Sequence, residues 1–106
     1  MGNGTLPAMT LACNLNAIPP EVRPRHRALT ARLRSAMRNR ADLLGGYKFE
    51  IDSNAVTLPE IAEWIALERL CCPFLTFQLD VRGEEVRLTL TGPEGSKAIL
   101  HQEFPS

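Results

Sequence analysis

The sequence predicts an α+β domain with elements in the order α-β-α-β-β-α. Its three-stranded sheet is expected to be antiparallel or mixed, with the helices packed on one face. Three observations carry this reading. Apolar residues recur at helical spacing over residues 21–44 and 59–71. They alternate at strand spacing over 47–52, 75–81 and 86–90. Chain-breaking residues stand between these stretches: Gly45-Gly46, Pro73 and Arg82-Gly83-Glu84.

Residues 1–18 have no periodicity and read as an irregular arm ahead of a core spanning residues 19–106, within one domain over 1–106. Pro19-Pro20 precedes Glu21, an acid suited to a first helical turn, and Pro24 falls where a missing N–H does little harm. His26, Leu29, Leu33, Met37 and Leu44 then make one stripe, so a first helix is expected to about Leu44, ended by Gly45-Gly46. From Tyr47 to Asp52, Tyr47, Phe49 and Ile51 point one way and Lys48, Glu50 and Asp52 the other, the mark of a half-buried strand. Asp52-Ser53-Asn54 turns the chain. A second helix follows from about Pro59 to Cys71, with Leu58, Ile61, Ala62, Trp64 and Ile65 as its apolar residues and Pro73 as its stop. Leu75, Phe77, Leu79 and Val81 face the core from one hairpin strand, and Val86, Leu88 and Leu90 from the other. Pro93 leads into a last short helix carrying Ala98, Ile99, Leu100 and Phe104.

Composition excludes several classes. The 106 residues are 44% hydrophobic and 23% charged, which fits a folded soluble domain and argues against disorder. No apolar run approaches the roughly 20 residues of a membrane span. Residues 1–13 lack the basic start of a secretory signal, and Leu11-Ala12-Cys13 without it is a poor lipoprotein cleavage site. Three cysteines, two of them adjacent, make a poor disulfide framework, so reduced thiols and a cytoplasmic setting are expected. Formal net charge is zero but uneven, with residues 1–48 carrying eight basic and two acidic side chains. The arginine-rich first helix has no interleaved aromatic residue. It reads as a face complementing the acidic half, within the monomer or across a homodimer; nucleic acid is not expected as a partner.

The chemistry concentrates at Glu68-Arg69-Leu70-Cys71-Cys72-Pro73-Phe74. On a helix, Glu68 lies one turn before both cysteines, and Pro73 pushes Cys72 out of the helical region, freeing its sulfur to turn toward a shared centre. The dipole at a helix C-terminus disfavours a thiolate nucleophile and favours a bound cation. Two thiols are too few for most soft ions. Cys13 from the arm is the candidate third ligand to Cys71 and Cys72, and His26 or Glu68 the fourth. The spacing contains no Cys-x-x-Cys pair, so inert core cysteines, a core histidine and a Glu68 paired with arginine remain as the plain structural reading. No phosphate loop is present, and no spacing favours a Cys-His pair over the metal site.

The segments Glu68-Arg69-Leu70-Cys71-Cys72-Pro73-Phe74-Leu75 and Leu90-Thr91-Gly92-Pro93-Glu94-Gly95 resemble a family of small uncharacterised bacterial proteins. These share an E-x-x-C-C-P-F core followed by a hairpin and a T-G-P-x-G helix start. Similar segments are appended to some regulators of the mercury-resistance (MerR) type. The likeness runs from Cys13 through the last helix, but the chain lacks the helix-turn-helix and long dimerisation helix of such regulators. What the resemblance implies is that Cys71 and Cys72 handle a soft metal or metalloid, with a regulatory protein as a candidate partner. The expectation is therefore a non-catalytic thiolate site for Zn(II), Cu(I), Hg(II) or As(III), used in sensing, buffering or delivery. The alternatives are a thiol redox protein, with a reversible disulfide from Cys13 to Cys71 or Cys72, and a structural or protein-interaction module.

Overall fold

A computed structural model describes residues 11–105. It shows three helices and a four-stranded antiparallel sheet. The described part of the arm makes a single 3-10 turn at Leu15–Ala17, and residues 1–10 of the expected irregular arm lie outside the described residues. A second 3-10 turn, Pro20–Val22, leads into α1 (Arg23–Ala36). Then come β1 (Met37–Leu43), β2 (Gly46–Ile51), α2 (Leu58–Cys71), β3 (Thr76–Arg82), β4 (Glu85–Thr91) and α3 (Ser96–Glu103).

Two expectations are corrected. The first helix stops at Ala36 rather than near Leu44, so the order is α-β-β-α-β-β-α and the sheet has four strands, in the order β1-β2-β4-β3. The reason is local. The Ala36 carbonyl accepts the Asp52 N–H at 2.8 Å, which ties the helix end to the residue just past β2, at the open end of the hairpin. The pairing skips a residue between Arg38 and Arg40, so Met37, Arg40 and Leu43 become half-buried at every third position. That bulge gives an edge strand the periodicity of a helix. Gly45-Gly46 is then part of a hairpin turn and not a helix stop. At Gly46 a Cβ would lie 1.9 Å from the Leu90 carbonyl oxygen, so only glycine lets β4 approach so closely.

The rest follows the expected pattern. Tyr47, Phe49 and Ile51 of β2 lie opposite Leu90, Leu88 and Val86 of β4, and all six are buried. Phe77 and Leu79 of β3 continue that face half-buried, whereas Val81 at the hairpin end is exposed. Trp64 of α2 meets the face edge-on through Phe77. Phe104, just after α3, meets both Trp64 and Phe49 edge-on. Against this layer α1 sets Leu29, Leu33 and Ala36, all buried.

Helix α2 starts where its sequence says it should. Thr57 accepts the Glu60 N–H and Glu60 reaches back to the Thr57 N–H, a reciprocal capping box with Pro59 in the first turn. A well-anchored start leaves the far end of α2, with Glu68, Cys71 and Cys72, held against the core.

Candidate thiol and carboxylate centre

Cys71 is the last residue of α2, and Cys72 has left the helical region (φ −123°, ψ 73°), as Pro73 demands. The end of a helix leaves carbonyls without intrahelical partners. One of these, on Cys71, accepts the Asn14 N–H at 2.8 Å and so docks the arm against α2. Ile18, fully buried, plugs the arm into the core. Docking of the arm carries Cys13 to Cys72. Their Cα atoms stand 4.6 Å apart, and the two sulfurs are joined in a disulfide across 59 residues of sequence. The expectation of three reduced thiols is corrected here. Adjacent Cys71 and Cys72 do not pair, but the arm supplies a partner at suitable separation. Cys71 is a buried free thiol.

The sulfurs of Cys13, Cys71 and Cys72 all lie within 4.8 Å of one another. Glu68, with no exposure at all, stands beside them, its Oε2 3.5 Å from the Cys72 sulfur. A disulfide sulfur carries no proton, so this contact becomes a hydrogen bond only when Cys72 is reduced. The other carboxyl oxygen, Oε1, is 2.7 Å from His26 Nε2. His26 therefore joins the sulfur cluster through Glu68.

A neutral pair fits the surroundings better than an ion pair. Burial raises the Glu68 carboxyl above its ordinary value, opposed by a hydrogen bond with Glu103. Burial likewise lowers His26, opposed by the Glu103 charge and assisted by Arg27. Glu103, at the end of α3, is pushed up to about 8 by burial and by the neighbouring Glu68. Two carboxyls can share a hydrogen bond only when one holds a proton. Glu103 Oε1 is buried without a hydrogen-bond partner.

The cysteine of α2 responds to the same field. Burial, then Glu68, then Glu103 raise the Cys71 thiol to about 11. Such a thiol is a weak nucleophile near neutral pH. Behind His26 the polar chain continues: Thr30 Oγ1 donates to the His26 carbonyl at 2.9 Å and accepts the Trp64 Nε1–H at 3.0 Å.

The chain matches no family model, and no curated protein or solved structure matches it.

Cys13, Cys71, Cys72, Glu68 and His26, the five residues singled out in the sequence, thus gather at one end of α2. Together the three sulfurs could hold a metal ion. Thiolates bind soft ions at about 2.3 Å, which sets sulfurs about 3.8 Å apart in a tetrahedral site. The Cys13–Cys72 bond removes two of the three donors, so the donor set is complete only in the reduced chain. Glu103 was not foreseen. It lies three residues past the buried Leu100 and one before the buried Phe104, and that spacing could have marked it as inward-facing. Among the described residues no helix is long and apolar enough to cross a membrane.

Proposed function

We propose that the reduced chain binds one soft metal or metalloid ion through the thiolates of Cys13, Cys71 and Cys72. The observation that carries this reading is the mutual approach of the three sulfurs to within 4.8 Å at a buried helix end. The electrostatics support it. Burial raises the Cys71 thiol, so a bare thiolate is disfavoured there, and a bound cation at this helix end would compensate its charge. Charge balance also ranks the ions. A trivalent metalloid with three thiolates is neutral, which suits a buried site, whereas a divalent ion leaves a net negative complex. As(III) is therefore expected to bind more tightly than Zn(II), and a role in sensing, buffering or delivery follows.

The test is an anaerobic titration of reduced, desalted protein with As(III), Hg(II), Cu(I) and Zn(II) against glutathione as competitor. One ion per chain, lost in Cys13→Ser, Cys71→Ser and Cys72→Ser, is the expected result. Failure of any ion to outcompete glutathione would overturn the reading.

A second reading has its own observation, the Cys13–Cys72 disulfide with a third sulfur within reach. A thiol redox protein would accept two electrons and two protons from a dithiol reductant, opening this bond to two thiols. Reversible interconversion that is indifferent to a chelator would favour it.

A further inference from the structure

The arginines of α1 and the start of β1 divide into two sets. Arg25 is bound at both ends of its guanidinium by Glu63, at 2.9 and 2.8 Å. Arg32 pairs with Glu60, and Arg38 with Asp52 at 3.1 Å. These spend their charge on acids of the C-terminal half. Arg23 and Arg34 are held differently. Arg23 donates to the carbonyls of Ile18 and Asn16 at 2.8 and 3.2 Å, and Arg34 donates twice to the carbonyl of Glu103 at 3.1 and 3.0 Å. Neutral carbonyls fix the guanidinium without neutralising it. Arg27, exposed, makes no ion pair among the described residues.

Arg23, Arg27 and Arg34 lie on one face of α1, and together they line a cavity of about 310 Å³. His26 and Glu103 line it too, and Leu15 and Ala31 supply apolar wall. Its size matches the smaller ligand pockets, about 300 Å³. Three uncompensated guanidinium groups, two of them already positioned, form a preorganised receptor for oxyanions. The lining acid, Glu103, makes no ion pair with any of the three among the described residues, and its Oε1 is buried.

We propose that this cavity binds a small organic anion, a carboxylate or phosphate group on an apolar stem, with the charged group at Arg27 and the stem against Leu15 and Ala31. It adjoins the thiolate centre through His26 and Glu103 but contains none of the three sulfurs, and it does not depend on that centre binding an ion.

The test uses the full-length, oxidised chain at constant ionic strength, titrated with hexanoate, hexyl phosphate and inorganic phosphate. Binding is read by calorimetry and by Trp64 fluorescence. Trp64 is the single tryptophan and is hydrogen-bonded to Thr30, another residue of the cavity wall. One of the two stemmed anions should saturate a single site, at least about tenfold tighter than inorganic phosphate, since each buried methylene adds about 0.8 kcal/mol. Hexanoate against hexyl phosphate tells carboxylate from phosphate. Arg27→Gln should weaken binding about tenfold, whereas Arg25→Gln, whose charge is spent on Glu63, should change it less than about twofold. Both positions are exposed, so neither change endangers the fold. The proposal is overturned if no probe saturates or if inorganic phosphate binds as tightly as the stemmed anions. It is equally overturned if Arg25→Gln weakens binding as much as Arg27→Gln.

Discussion

His26 and Glu68, 42 residues apart in sequence, meet at 2.7 Å in the interior, and the second oxygen of the same carboxyl faces the Cys72 sulfur at 3.5 Å. One buried side chain thus links helix α1 to the sulfur centre at the end of α2. Because Glu103 joins this pair, the proton balance of the core is tied to the integrity of the site.

Stability should therefore fall as pH rises from about 6.5 to 8. A carboxyl with a higher pKa folded than unfolded stabilises the fold fully below its unfolded value, and that contribution is lost as pH rises through the folded value. For Glu103 these limits are the ordinary 4.5 and about 8. His26 is shifted the other way, so its cost to stability appears only as pH falls below about 6.5. Above that the carboxyl limb stands alone, with a slope of up to about 1.4 kcal/mol per pH unit for one proton. Urea unfolding across this range should show the decline, and Glu103→Gln should flatten it. An unchanged slope in the variant would refute the assignment.

Much of this was legible in sequence because the signals were local. The Pro73 stop and the alternation of Tyr47, Phe49 and Ile51 each act within a few residues. Strand β1 was not legible, because its bulge near Asn39 replaces a two-residue alternation with a three-residue one. The gathering of Cys13, Cys71 and Cys72 was expected from their chemistry. Which pair bonds was not, since it depends on a backbone hydrogen bond from Asn14 to Cys71 that no side-chain pattern encodes.

Removing the Cys13–Cys72 bond should cost stability without changing the fold. It closes a loop of 59 residues, for which chain entropy predicts up to about 4 kcal/mol. Cys13→Ser, or dithiothreitol added to the parent chain, should lower Tm by about 10 °C or more. Dithiothreitol should then have no further effect on the variant, because its remaining cysteines are already thiols. A variant as stable as the oxidised parent would show that the arm contributes nothing through this bond.

Two glycines should respond very differently to alanine. At Gly46 the added Cβ would collide with the backbone of Leu90, where β2 and β4 are paired, and neither strand can retreat without losing its ladder. Gly46→Ala is expected to cost about 3 kcal/mol or more. Gly83 has open space around it and a φ of +61°, so Gly83→Ala should cost only about 1 kcal/mol, from backbone strain. Chemical denaturation of the two variants gives the comparison directly, and equal losses would contradict the close approach at Gly46.

Cys71 should resist alkylation in the folded protein. Its thiol sits at about 11 against an ordinary 9.0, so its thiolate population near neutral pH is about 100-fold below that of an unperturbed thiol. Burial slows the reagent further. Iodoacetamide at pH 7.5 should therefore modify the native, oxidised chain at least about 100-fold more slowly than the urea-unfolded chain, with one equivalent consumed after unfolding. Burial is the largest cause of the suppression, so urea that opens the site should restore the rate, while a change confined to the surface, such as Lys48→Gln, should leave the native rate unchanged. A native rate equal to that of the unfolded chain would show a reactive thiol at the helix end. The burial that raises this thiol would then be wrongly assigned.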